Sequence, residues 1–283
     1  MNKIKTFLVR GDTHGIFTWI DTMVLDRYNP KETAIIILGD AGFNFWLDKK
    51  DTRLKREVSA KGFTFYCVRG NHEARPQDIE GMNKVYDENV QGMVYIEEEF
   101  PLIRYFLDYG AYTIGGYKCA VIGGAYSVDK YYRLMRLGIM DKLDPRYYDP
   151  KITHWFHNEL LTSEEMNDAM ESLGNDKYYD FVFTHTCPIS WTPTDLFLNA
   201  IDQSLVDKTM ENWLEEFKNS ITFHAYCFGH FHADRLERPH VEMYYNDVEN
   251  LDNIYERWKR FDETGKLDWW LRRSPNFWAD SNK

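Results

Sequence analysis

The chain has 283 residues, 43% of them hydrophobic and 16% aromatic, enough for one large domain or one domain with an insertion. Its formal charge of −11 argues against a general binder of nucleic-acid backbone, which needs a basic face, but not against an anionic substrate, because bound divalent ions reverse the local field. Lys3 and Lys5 are followed by no long apolar run, so neither a secretory signal nor a membrane span is expected, and the predicted location is cytoplasmic with no membrane partner.

In chain order, residues 4–9 read as a buried strand that ends in Arg10-Gly11-Asp12-Thr13-His14-Gly15. Ile16, Trp19, Ile20, Met23 and Val24 then recur at helical spacing, predicting an amphipathic helix over 16–28 that stops at Asn29-Pro30. A second strand, 34–38, runs into Gly39-Asp40-Ala41-Gly42. The charged stretch 49–61 keeps Leu54 and Val58 on one face. A third strand, 63–68, is rich in aromatic and β-branched residues and runs into Gly70-Asn71-His72-Glu73.

After a polar stretch to about residue 91, short apolar runs at 93–96, 102–107, 111–114 and 118–122 predict antiparallel strands of a second sheet. Gly123-Gly124-Ala125-Tyr126-Ser127-Val128-Asp129-Lys130 opens an aromatic and basic insertion, about 126–160, expected to cover the ligand edge. Thr162 or Ser163 with Glu165 caps a helix over 162–173. Strands at 179–183 and 225–228 run into Thr184-His185-Thr186-Cys187-Pro188 and Gly229-His230-Phe231-His232, with a largely helical segment, 193–218, between them and a further strand at 241–245.

The expected division is a catalytic domain over 1–253 and an aromatic tail, 254–283, packed on it; Trp258, Trp269, Trp270 and Trp278 of that tail could instead stack on nucleotides. Cys67, Cys119, Cys187 and Cys227 are dispersed, as buried reduced thiols are. His154, His157, His224 and His240 lack strand-end positions, and solvent exposure is expected for His154 and His157.

Five strands thus deliver metal-capable side chains to one sheet edge, where ligands of α/β proteins bind. Asp12, His14, Asp40, Asn71, His185, His230 and His232 supply oxygen and nitrogen donors suited to borderline divalent ions, manganese foremost, with iron, zinc, cobalt or nickel as alternatives. Seven donors are too many for one such ion. Two ions roughly 3.5–4 Å apart need a bridging carboxylate, an arrangement that recurs in enzymes acting at phosphorus.

Asp12-x-His14, Gly39-Asp40, Gly70-Asn71-His72-Glu73, His185 and Gly229-His230-x-His232, in that order, resemble the calcineurin-like metallophosphoesterases. The resemblance implies an α/β fold, a two-sheet αββα sandwich. It implies that Asp12, His14 and His232 bind one ion, that Asn71, His185 and His230 bind the other, and that Asp40 bridges. His72 would be the general acid or donor at the leaving group, and Glu73 either orients His72 or steadies the loop.

The second motif lacks the Asp-Arg-Gly continuation of phosphoprotein phosphatases, and Phe43 stands where purple acid phosphatases carry a tyrosinate ligand. The run from Gly123 to Lys130 is similar to one in a bacterial and phage branch whose substrates it does not reveal. The expected activity is hydrolysis of a small phosphodiester or phosphomonoester by a hydroxide bridging the ions, with a nuclease on single strands, a phosphoprotein phosphatase or a non-catalytic binding module as the alternatives. The ions hold two phosphoryl oxygens at most, so a further cation is wanted; Arg133 and Arg136, three apart, share a face if helical, and together with Asn44 they are the candidates for substrate contact.

Overall fold

The computed structural model describes residues 3–136, 149–175, 177–197, 201–274 and 277. In chain order its elements begin with β1 (Thr6–Arg10), β2 (Thr33–Ile37), α1 (Lys49–Ser59), β3 (Thr64–Cys67), β4 (Met82–Asp87), β5 (Gly92–Glu97), β6 (Ile103–Phe106), β7 (Tyr109–Ile114) and β8 (Tyr117–Ile122). They continue with α2 (Lys130–Arg136), α3 (Pro150–Thr153), α4 (Ser163–Leu173), β9 (Lys177–Thr184), α5 (Thr209–Asn219), β10 (Ile221–Phe228), β11 (Arg235–Arg238), β12 (Val241–Met243), β13 (Val248–Asn250) and α6 (Leu251–Thr264).

Two mixed sheets result, one ordered β13-β1-β2-β3-β6-β5-β4 and the other β11-β12-β10-β9-β8-β7. Within them β1, β2, β3 and β6 are parallel neighbours, as are β8, β9, β10 and β12. The period-2 alternation of a strand decides what each residue buries. Phe7, Val9, Ile36, Leu38, Tyr66 and Val68 face the opposite sheet and meet Cys119, Val121, Phe181, Phe183, Ala225 and Cys227. Their neighbours Leu8, Ile35, Ile37 and Phe65 point outward under Phe17, Trp19, Ile20 and Val58. Tyr179, Val182, Tyr226 and Phe228 point outward under Met166, Leu173, Leu214 and Phe217 of α4 and α5. Strands buried on both faces read as continuous apolar runs for this reason, and the four layers are an αββα sandwich.

Several local expectations change. The helix predicted over 16–28 reduces to a π-helical turn, Ile20–Val24; Phe17 stacks on Phe43, ring centroids 4.8 Å apart, and sets the course of the chain before that turn. Residues 82–87, read as a polar stretch, are the antiparallel edge strand β4. The runs at 93–96 and 102–107 join the first sheet, β6 parallel to β3, and only β7 and β8 enter the second. Between 193 and 218 the described residues form a 3-10 turn at Thr194–Leu196 and the single helix α5. The capping box of α4 is formed as predicted, with Thr162 and Glu165 each accepting from the other's backbone N–H.

The C-terminal part opens with the helix α6, which ends at Thr264. α6 buries Trp258 against the sandwich, whereas Trp269 is 86% exposed and Trp270 stands beside it, also exposed; Trp278 lies outside the described residues. All four cysteines are buried and free. No described helix is long and apolar enough to cross a membrane.

Candidate metal centre

The loops after β1, β2, β3, β9 and β10 meet at the carboxyl edge of the sandwich. Asp12 is buried, and its Oδ1 accepts from the backbone N–H of His230, 2.8 Å away, tying the first loop to the last. Asp40 Oδ1 accepts from the backbone N–H of His72 at 2.8 Å, tying the second loop to the third. The loops approach so closely that no side chain fits between them. A Cβ on Gly70 would sit 1.9 Å from Asp40 Oδ1, and one on Gly229 2.3 Å from Asp12 Oδ1. His14, Asp40, His230 and His232 all hold positive φ, between 45° and 69°. Non-glycine residues in this region cost energy, and their concentration at four ligand candidates is strain of the kind stored at functional sites.

Two donor groups result. Nε2 of His14 and Nε2 of His232 are 2.9 Å apart, and the buried Oδ2 of Asp12, which lacks a well-formed hydrogen bond, faces them at 3.7 and 3.3 Å. In the second group His185 donates through Nδ1 to Leu38 O at 2.8 Å. Its Nε2 then faces Asn71 Oδ1 at 2.9 Å and Asp40 Oδ2 at 3.6 Å, and the His230 ring lies beside it at 4.9 Å between centroids. In the first group the facing ring nitrogens and the orphaned carboxylate oxygen lack a positive partner, which a divalent cation would supply; in the second, a cation would replace the proton that His185 Nε2 directs at Asn71 and Asp40. The donor set fits two such ions.

Protons take up part of this charge in the metal-free protein. Burial opposes a charge on His185, but the Asp40 and Asp12 carboxylates outweigh it and push the imidazole up to about 9. Burial, reinforced by the neighbouring His185, pushes His230 down to about 3. Burial works against ionising Asp40, yet His185 and His72 hold its carboxyl well below the usual range.

Behind the ligands lies a buried polar chain. Asn71 Nδ2 donates to Ser127 Oγ at 2.9 Å, and Ser127 in turn donates to Glu159. Burial pushes that glutamate up to about 7. The end of the insertion is pinned from the flanks of the third loop: Arg69 donates to Glu159 O at 2.7 Å, and Arg75 to Asn158 O at 2.9 Å and Leu160 O at 2.7 Å. Sequence reasoning misses Ser127 and Glu159 as parts of the site. The available signal is the run from Gly123 to Lys130, whose backbone turn brings Ser127 under Asn71.

The remaining candidates fall differently. His72 lies in the centre of the edge, its ring 5.8 Å from that of His14, with Nδ1 3.3 Å from Arg133 Nη2. Glu73 does not contact the His72 ring. It is buried beneath the loops, where Oε1 accepts from the backbone N–H of Gly70 at 3.0 Å and of Ala41 at 3.4 Å, which is the loop-steadying arrangement. Asn44 is 1% exposed, and its backbone carbonyl accepts from the N–H of Ala74 at 3.0 Å. That backbone bond links the second and third loops, and Asn44 lines neither of the two clefts that share Asp40 and His72.

Arg133, on α2, is held by Asp129 at 2.7 Å and by the His154 carbonyl at 2.9 Å, and its remaining nitrogen is the one that reaches His72. The side chain of Arg136 lies outside the described residues. His157 is exposed as expected, whereas His154 is half-buried against Phe45 and Trp46.

Two clefts flank the centre and share Asp40 and His72 as floor. One, of about 450 Å³, is mostly apolar, with Tyr126, Val128, Ile189, Leu196 and Phe231 around Gln203 and Lys208. The other, of about 500 Å³, is basic and aromatic, with Phe45, Trp46, Lys50, Arg53 and Arg133. Lys50 Nζ sits 3.6 Å above the Trp46 ring.

A family model described as calcineurin-like phosphoesterase matches residues 5–234, a span that holds all seven candidate ligands. Among curated proteins, none gives a significant match. The family's activity is metal-dependent phosphoester hydrolysis at a dinuclear divalent site, and the Asp and His groups described above are candidates for that site. With more than half its length matched, the chain belongs to the calcineurin-like phosphoesterase family.

Proposed function

We propose that the protein hydrolyses a small phosphate ester, a diester in preference to a monoester, with Asp12, His14 and His232 holding one divalent ion, Asn71, His185 and His230 the other, and Asp40 between them. Bound ions of this kind supply an activated water at neutral pH and charge for the phosphoryl oxygens; manganese is the first choice, since the donors mix carboxylate, amide and imidazole. His72 lies in the shared floor of both clefts and assists the leaving oxygen. Arg133 fixes the His72 ring and offers charge to the rest of the anion.

The observation that supports this reading is the gathering of two carboxylates, four imidazoles and the Asn71 amide beside two clefts. A diester carries two alcohols on one phosphorus, and each cleft has room for one, whereas a monoester would leave one cleft empty. The aromatic and basic cleft also supports a second reading, a nuclease acting on short single strands, with Trp46 as a stacking platform.

The test is a rate panel on protein loaded in turn with manganese, iron, zinc, cobalt and nickel. Its substrates are bis(4-nitrophenyl) phosphate, 4-nitrophenyl phosphate, cyclic nucleotides, short single strands and a phosphopeptide. Ion-dependent hydrolysis with a higher kcat/KM for diesters is expected. A preference for the monoester would remove the diester assignment, and no turnover with any ion and substrate would remove the enzyme reading.

A further inference from the structure

On the flank of the second sheet, away from the ligand edge, His224, His240 and Asp262 converge from three separate elements: β10, the turn between β11 and β12, and α6. A ring nitrogen of each histidine and a carboxylate oxygen of Asp262 lie within 4.8 Å of one another. Nε2 of His224 contacts the carbonyl of Tyr255 at 2.9 Å, and Nδ1 of His240 contacts the carbonyl of His224 at 2.7 Å. A carbonyl only accepts, so these nitrogens carry the protons, and in each neutral ring the other nitrogen is a bare lone pair. For His240 that second nitrogen, Nε2, faces Asp262 Oδ1 at 2.9 Å. Two acceptors facing each other repel unless something positive lies between them.

The rings are also fixed in place. His224 packs on Tyr255 with centroids 4.1 Å apart, and His240 stacks on Trp258 at 4.9 Å. An imidazole whose N–H is anchored on a backbone carbonyl, which fixes its tautomer and ring orientation, is the usual outer arrangement of a metal-binding histidine. Asp262 is exposed and the two histidines are half-buried, leaving water access for a fourth position.

We propose that His224, His240 and Asp262 form a second, peripheral site for a borderline divalent cation such as zinc, with water completing the coordination. The cation clips α6 to the second sheet, since Asp262 comes from the helix and the two imidazoles come from the sheet and its connecting turn. The competing occupant is a proton, which would make His240 an imidazolium paired with Asp262.

Metal-free protein, stripped with chelator and confirmed folded by circular dichroism, is titrated with zinc by calorimetry. Bound zinc is then counted by elemental analysis after gel filtration. Wild type is expected to hold one more zinc than Asp262→Asn, whatever number both hold at the ligand edge. Asp262 is on the exposed face of the helix, so this variant keeps the fold, and hydrolysis by the manganese-loaded enzyme should be unchanged. His240→Asn should lose the same equivalent, and the zinc-induced rise in Tm should be smaller in both variants. Cobalt gives a further readout, because a four-coordinate ion at this site adds visible absorption that the variants lack. Equal zinc counts and equal cobalt spectra in wild type and Asp262→Asn would overturn the site and leave the protonated pair in its place.

Discussion

Arg133 Nη2 lies 3.3 Å from His72 Nδ1. Arginine only donates, so Nδ1 is the accepting nitrogen and the proton of the neutral ring sits on Nε2. A residue of the insertion thereby sets the tautomer of the residue proposed to assist the leaving group. Arg133→Ala should lower kcat/KM about tenfold or more for a diester with an alkyl leaving group, the scale of a lost charged hydrogen bond. Hydrolysis of a nitrophenyl ester should change much less, and Arg133→Lys should restore only part, because a lysine lacks the planar fork. Equal losses on both leaving groups would place Arg133 in substrate binding alone.

His72→Ala should retain metal content, since the ring touches neither donor group through a hydrogen bond. The rate for alkyl leaving groups should fall by about 10²-fold or more, and that for nitrophenol by far less, because only the poor leaving group needs its developing charge stabilised by the Nε2–H. Rates for a series of leaving groups of graded acidity check this through the slope of log rate against leaving-group pKa, which should steepen in the variant.

Asp40→Asn keeps the shape of the residue and removes a charge between the two donor groups. Bound metal per chain and kcat should fall together, and elemental analysis beside the rate reads both. Full activity in this variant would sink the assignment of Asp40 as the bridge.

Ser127→Ala would leave the Asn71 amide and the buried Glu159 without the hydroxyl that joins them. Loss of such an outer partner typically weakens metal binding roughly 10- to 100-fold. Metal titration should find a weaker affinity at one of the two ions only, with the other unchanged. Two equally weakened ions would indicate a general loss of fold instead.

The pH dependence follows from His185. Its ordinary value is 6.5, and although burial opposes the charge, Asp40 and Asp12 push it up to about 9 in the metal-free protein. A raised value means that its proton stabilises the metal-free fold fully below about pH 6.5, a contribution lost as pH rises through about 9. A cation competes with that same proton, so affinity rises over the same window. The manganese-induced increase in Tm should therefore grow from about pH 6.5 to about 8.5, and a flat difference between metal-free and loaded protein would count against His185 as a ligand.

Local sequence is enough to locate the candidate donors. Strand periodicity and short polar loops are properties of neighbouring residues, so Asp12, His14, Asp40, Asn71, His185, His230 and His232 are legible as strand-end residues without any tertiary contact. The capping box at Thr162 and Glu165 is local in the same sense. Features that depend on partners distant in the chain follow instead from packing. Strand β4 is half-exposed at a sheet edge, and its apolar residues Met82, Val85 and Tyr86 do not alternate with period 2, so it gives no clear strand signal. The membership of β5 and β6 in the first sheet is fixed by pairing with β3 rather than by their own residues. Glu73 is adjacent to His72 in sequence, yet consecutive side chains diverge, and the carboxylate turns under the loops to meet the N–H groups of Gly70 and Ala41. The partner of the His72 ring comes from 61 residues away, because a side chain's hydrogen bond is set by which elements pack together and not by its neighbours along the chain.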